Sequence, residues 1–376
     1  NANGRGCWLV DQHSHGAGIP LQIRSERLRS ANPKDFPAIT IRDEQWRYLP
    51  VERLNGLDSE VRKFQGSLAG LELKTSGSTA AGSISLPEDL VAANVYELND
   101  VKYLHVGAST EPQLLNIKAE GASQGLQFVI SNEKFAKNTV VLNHTGSGSL
   151  AELVEIDVAD ESELTLISIQ NLDDESVITS SQFARLGRNA KLKHVVVSIG
   201  GKTIRVVPAV SFAGAGAEVE MLGAYFANGD QHIEHRPFVD HNMPNCTSNV
   251  AYKGALQGAK AHTVWVGDVL IRQAAEGTKT YELNRNLLLT DGARADSVPN
   301  LEIETGQIEG AGHASASGRF DDEQLFYLQS RGIPEIEAKR LVVKGFLNDV
   351  ISQIGIAELQ DELNAIIEAK LEGNQK

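Results

Sequence analysis

The sequence predicts a mainly-β fold, a solenoid of stacked strands flanked by helical regions at its N- and C-terminal ends. Three observations lead there. From about residue 101 to 318 the chain is a series of short β-branched and aliphatic runs, among them "KYLHV", "LTLISI", "KHVVVSI" and "TVWVGDVLI", punctuated by Gly, Asn and Asp. Each run has strand length and none carries a helical period. Second, a small or polar residue, one spacer and an aliphatic recur at Gly148-Ser149-Leu150, Ser162-Glu163-Leu164, Ser176-Val177-Ile178 and Ala190-Lys191-Leu192. The four aliphatic residues are each 14 apart, Val206 continues the step without its small partner, and Val219 follows at 13. Third, the period changes to that of amphipathic helices near residue 319.

The elements follow in order. Residues 1–65 read as helical and irregular, with Pro breaks around an amphipathic piece holding Trp46, Tyr48 and Leu49. "GSTAAGSIS" within 66–90 has the composition of a flexible loop. Residues 66–318 are assigned to the solenoid. A 14-residue step suits half a rung: one strand, a corner and the start of a strand on the opposite sheet. Each rung must present equivalent side chains to the next, which is why the repeat is regular. A β-sandwich also gives turn signals every 8–12 residues, but the unbroken step favours the solenoid. Long helices between the strands are absent, which disfavours βαβ units. Beyond residue 219 the step is lost.

Residues 319–376 form the C-terminal helical region. "DDEQLFYLQS" opens with Asp321 three residues before Gln324, resembling a capping box, and ends at Gly332. Pro334 then occupies a first helical position. Ala338, Leu341, Val342, Phe346, Leu347, Val350, Ile351 and Ile354 fall on one stripe of the next helix. A last helix groups Leu359, Leu363, Ile366 and Ile367.

Composition narrows the function. The 376 residues carry Lys+Arg 35 against Asp+Glu 49, a net charge of −14, with no basic run. That balance repels a phosphate backbone, so nucleic-acid binding is not expected. No apolar stretch is long enough to span a bilayer, and no secretory signal pattern opens the chain, so membrane insertion is not expected and a cytoplasmic location is. Cys7 and Cys246 are the two cysteines. Two thiols neither staple a secreted scaffold of this size nor supply the four that commonly hold an iron–sulfur cluster. Cys7, His13 and His15 lie in an N-terminal stretch that lacks an initiator Met and carry little weight. "GAGAE" and "GSGSL" lack the Lys-Ser/Thr ending of a nucleotide-binding loop and read as corners.

The stretch "NRNLLLTDGARADSVPNLEIETGQIEGAGHASASGRFDDEQLFYLQSRGI", residues 284–333, closely resembles the C-terminal signature shared by the SufB/SufD family of iron–sulfur cluster assembly proteins. "DEQWRYLP" at 43–50 and "VDHNMPNCTSN" at 239–249 support the match. The resemblance spans most of the chain. It implies a right-handed parallel β-helix flanked by helical regions. It further implies a non-catalytic subunit of a complex that pairs with a SufB-like subunit and is driven by the SufC ATPase, or a homodimer in isolation. Two departures put the chain on the SufD side: Asn284 stands where SufB-like chains carry a cysteine important for assembly, and Ala314, not glutamate, follows His313. Ala311 stands where some SufD proteins have a further cysteine. The alternatives are a SufB-like cluster scaffold and, in a different class, a β-helix carbohydrate-active enzyme.

His313 is the residue the resemblance places at the subunit interface. There it is expected to bind iron or nascent cluster shared with SufB, since a neutral imidazole can replace a thiolate at such a site. No cofactor is expected to be held stably by this chain alone. Leu341, Val342, Phe346 and Leu347 are the expected contact with SufC, some of them also packing on the solenoid end. "DQHIEHRPFVDHN" concentrates His232, Glu234, His235, Asp240 and His241. In a strand over 231–236, His232 and Glu234 share a face and His235 points away, so stacking along a solenoid edge is a better expectation than a metal site. Cys246 is expected to be an ordinary buried or edge cysteine.

Overall fold

A computed structural model describes residues 27–319 and 322–373 of the chain. Cys7, His13, His15 and Asp321 lie outside the described residues. The strands are β1 (Arg62–Lys63), β2 (Ser67–Ala69), β3 (Val101–Val106), β4 (Gln113–Asn132), β5 (Lys137–Val158), β6 (Glu163–Gln170), β7 (Val177–Leu186), β8 (Lys191–Ser198), β9 (Thr203–Phe212), β10 (Glu218–Asn228), β11 (His232–His235), β12 (Phe238–His241), β13 (Thr247–Gln257), β14 (His262–Ile271), β15 (Lys279–Leu288), β16 (Arg294–Ile303) and β17 (Gly310–Arg319). The helices are α1 (Leu90–Glu97), α2 (Asp322–Ser330), α3 (Glu335–Ile351) and α4 (Ala357–Gly373).

From β4 onward the strands wind as a parallel β-solenoid of about eight turns. One sheet stacks the first half of β5 with β6, β8, β10, β13, β15 and β17. The other stacks the second half of β5 with β7, β9, the β11–β12 pair, β14 and β16. β4 and β5 are long enough to bend through both sheets, and they bend at glycines. Gly121 and Gly148 both have positive φ, and a Cβ on Gly148 would sit 1.8 Å from the carbonyl oxygen of Gly121. No residue with a side chain fits that corner.

The 14-residue step is half a rung: Leu150 pairs with Ile178 and Leu164 with Leu192. Val206 does not continue it. Ile178 pairs with Ile204, and Val206 sits beside Ser180. The connection between β8 and β9, residues 199–202, is two residues shorter than that between β6 and β7, residues 171–176, so the register slips by two. Val219 returns to the column, opposite Leu192. Beyond it the repeat lengthens rather than ending: Glu218 pairs with Thr247, Thr247 with Lys279 and Lys279 with Gly310. Wider rungs accommodate aromatic rings. Tyr252 lies across Gly223 and Tyr225 across Gly254, where a Cβ would fall about 2 Å from the facing ring.

Period-two alternation sorts the strands' residues. Leu164, Leu166, Ile178, Val206 and Val219 fill the interior. Ile167, Ile169, Val195, Val197, Leu222 and Phe226 face outward, where Val343, Leu347, Val350 and Ile351 of α3 and Leu363 and Ile367 of α4 cover them. The opposite sheet is covered by the N-terminal flank, with Trp46, Leu49, Leu54 and Leu57 buried. Among the described residues before 66 this flank is irregular apart from single 3-10 turns at Pro33–Asp35 and Val51–Leu54 and the two-residue strand β1. Helix α1, within the stretch that composition assigns to loop and solenoid, is capped by Asp89, whose side chain accepts from Ala92 N at 2.9 Å. Arg205 locks the flank to β9. It is 2% exposed, bonds Asp89, Glu234 and the Gln45 carbonyl, and stacks 3.9 Å over the Trp46 ring. No helix among the described residues is long and apolar enough to cross a membrane.

Candidate functional site at the last rung

Paired residues in a parallel ladder point to the same side, so columns of side chains can be followed through the interior. One inward column runs Val140, Leu166, His194, Met221, Val250, Glu282 and His313. The next but one runs His144, Gln170, Ser198, Tyr225, Gly254, Asn286 and Ser317. The first is apolar at its start and ends polar; the second is polar over most of its length.

Most polar groups inside the early rungs satisfy one another, Asn138 Oδ1 and His235 Nδ1 being exceptions. His144 Nε2 lies 2.8 Å from Glu152, both fully buried, and Ser180 donates to the same carboxylate at 2.5 Å. Burial pulls the His144 pKa down, but the Glu152 carboxylate outweighs it and the pKa is raised. Gln182 bridges Ser180 and Ser168, His194 bonds Gln182 at 2.7 Å, and Ser198 joins Gln170 to His235. Burial holds His194 down to about 4 and His235 to about 3.

Towards the last rung the hydrogen bonds pass through Tyr225, Asn284 and Asn286 to Ser317, and Ser315 meets Ser297 at 2.8 Å. Here some polar atoms lack partners. The Tyr252 hydroxyl, Trp265 Nε1 and both carboxyl oxygens of Glu282 are buried with no hydrogen bond. Burial, with a smaller push from Asp268, raises Glu282 to about 8, so it is largely protonated at neutral pH. No residue of β16 or β17 is fully buried. The solenoid thus ends on a polar mouth, with His313 exposed directly above Glu282 in the ladder and Asn284 buried one inward position along.

Sequence reasoning singled out His313 but missed Glu282, Tyr252 and Trp265. The available signal was alternation: Val250 and Glu282 share a column once the longer repeat is known. The residues expected on a partner surface do not share one environment. Leu347 is buried against the sheet, Phe346 and Val342 are half-buried, and Leu341 is exposed. Phe346 lies under the Lys253 ammonium, which also pairs with Asp349. Three further apolar side chains of this region, Phe326, Tyr327 and Ile336, are exposed and were not picked out.

The histidine-rich run is not an edge. β11 and β12 lie in the ladder between β9 and β14, so their side chains are enclosed. His235 and His241 point inward, the latter stacked on Phe212 and bonded to Ser248 at 2.8 Å; Glu234 faces outward to Arg205 and Arg236. Cys246 is fully buried, and burial raises its thiol pKa.

A shallow groove of about 980 Å³ crosses the uncovered part of one sheet. Its charges are paired across rungs, Lys137 with Glu163 and Lys193 with Glu220. Lys137 holds the Glu163 carboxyl below its usual range. Depressed carboxylates do not suit the general acid of a glycosidase.

The SUF-system iron–sulfur assembly model for the SufBD core domain matches residues 115–346. An iron–sulfur cluster assembly SufBD family protein of Mycobacterium bovis is 47% identical over 352 residues, covering 88% of this chain and 89% of that protein. A counterpart in Mycobacterium leprae is 45% identical over 353 residues, 88% of this chain and 90% of its own length. A second, longer SufBD family protein of Mycobacterium bovis is 31% identical over 221 residues, 59% of this chain and 26% of that protein. With the solenoid and the signature residues at its last rung, these matches establish that the chain belongs to the SufBD family of iron–sulfur cluster assembly proteins.

Proposed function

We propose that the chain is a non-catalytic subunit of an assembly complex in which it pairs, through its last rung, with a SufB-like member of the family. The observation that carries this is the uncovered mouth formed by β16 and β17, in which no residue is fully buried. A solenoid end with exposed strands is a template for pairing and is normally capped or matched to a partner. Mycobacterium bovis has two distinct family members similar to this chain, which suits a heteromeric pair. His313 stands at the mouth and contributes an imidazole to iron or nascent cluster, the thiolates coming from the partner. Iron is cargo here, not a resident cofactor.

The C-terminal helices are the docking region for a SufC-type ATPase. The outward residues Phe326, Tyr327, Ile336 and Leu341 form the contact, while Leu347 anchors the helix beneath. Co-expression with SufB-like and SufC-like subunits tests both parts. The intact chain is expected to co-purify with both. Leu341→Asp combined with Ile336→Asp is expected to lose the ATPase and keep the SufB-like partner. His313→Ala is expected to lower cluster yield in the reconstituted complex with the melting temperature unchanged. A normal yield from that variant would remove His313 from the reading.

A further inference from the structure

Leu347 and Ile351 of α3 and Leu363 and Ile367 of α4 are buried against the sheet. Beside that contact the two helices leave an open groove of about 510 Å³, lined by Leu341, Gly345 and Asn348 on α3 and by Asp361 and Ala365 on α4. Leu341 is 44% exposed there.

Gly345 lies in the interior of α3, where glycine weakens a helix relative to alanine. Other glycines of the fold are required by a neighbour: a Cβ on Gly223 or Gly254 would strike a tyrosine ring. A Cβ on Gly345 would meet nothing within 4 Å, and its φ is not in the left-handed region. Nothing inside the chain needs this gap, and it opens into the groove.

The charges beside the groove do not balance. Lys344 pairs with Glu368 at 2.5 Å, Lys339 with Glu335, and Arg340 with both Glu337 and Glu372. Every cation of α3 is thereby neutralised within the helical pair. Among the described residues no ion pair engages Glu358, Asp361 or Glu362, all exposed in the first turns of α4.

We propose that this groove takes one helix of the ATPase subunit, an amphipathic helix with lysine or arginine opposite Asp361 and a large apolar side chain over Gly345. This mode of docking presupposes that the C-terminal helices are the ATPase site, as proposed above. Helix axes pack about 8–10 Å apart, the distance being set by the side chains between them. Gly345 on one wall and Ala365 on the other admit a third helix at close range. A helix seated in a groove is anchored by a few apolar side chains at helical spacing, and Leu341 offers them a partner. The surplus carboxylates select a basic helix and speed its approach.

The test is calorimetric titration of the purified ATPase subunit into the full chain at low and high salt. Gly345→Ala is expected to raise the chain's melting temperature, since the helix gains and nothing clashes, and yet to weaken ATPase binding roughly tenfold by crowding the seated helix. Gly345→Leu is expected to abolish binding with the fold intact. Asp361→Lys is expected to weaken binding and to flatten its dependence on salt. Wild-type binding by either Gly345→Leu or Asp361→Lys, while Leu341→Asp combined with Ile336→Asp still loses the ATPase, would overturn the groove and leave the docking region standing. Retention of the ATPase by that double variant would instead sink the docking region, and the groove with it.

Discussion

The first and last rungs of the solenoid share one backbone ladder and differ in what they enclose. Between β5 and β9 the repeat is 26–28 residues, and the interior holds Leu, Ile and Val with a few polar groups, most of which bond one another. From β13 to β17 it is 31–32 residues. There the interior holds Tyr, Trp, Asn, Ser and a carboxylic acid, some with unsatisfied atoms. The ladder fixes strand spacing but leaves the inward side chains free to vary. Unsatisfied buried polar groups are costly, and here they lie on β13, β14 and β15, beneath the last strands.

The largest expected effect breaks the support of the early rungs from outside. Arg205→Met takes a buried cation from Asp89 and Glu234, leaving them the Ala92 amide and Arg236, and is expected to cost about 3–5 kcal/mol in denaturant unfolding. If its cost is under ~1 kcal/mol, the N-terminal flank is not clamped by this network. Next comes the contrast within the interior. Leu166→Ala, in a fully buried early position, is expected to cost about 2–5 kcal/mol. Ser315→Ala at the exposed mouth is expected to stay within roughly 0.5 kcal/mol. Similar losses at both positions would erase the distinction.

The two regions should also respond to pH in opposite directions. Glu282 ionises at about 8 when folded against 4.5 ordinarily, so the folded state holds the extra proton between those values. Stability should fall as pH rises through that window, at most by ~1.4 kcal/mol per unit. Glu282→Gln should flatten this alkaline limb. His194 and His235 titrate at about 4 and about 3 when folded against 6.5 ordinarily, so the unfolded chain takes up protons first. Stability should fall as pH drops below 6.5, and His194→Gln should soften that limb. Melting temperatures across pH 4–9 check both signs. Val206→Ile, beside Ser180 instead of in the Ile178–Ile204 column, adds a methylene to a filled interior and should cost about 1–3 kcal/mol.

Much of the fold was legible because repetition is a strong signal. Leu150, Leu164, Ile178 and Leu192 announce half-rungs without any reference to a partner strand. The signal failed at Val206 because a turn shortened by two residues shifts register without changing the strands' composition. It failed beyond 219 because a longer rung looks like no rung when a fixed step is sought. On α3, Val343 is buried and Leu341 exposed, since the stripe that meets the sheet is set by how the helix lies on Ile167, Val195 and Leu222. His313 stood out in the sequence as a signature residue, whereas Glu282 did not, because its significance depends on residues about 30 positions away.

The order of residues alone determined that this chain would stack strands and end in amphipathic helices. Periodicity and composition are local quantities, readable along one dimension. Tertiary structure decided which inward positions meet across rungs and which carboxyl is left without a partner. Those facts depend on turn length and ladder register, and a change of one or two residues in a turn shifts the contacts of the strand that follows.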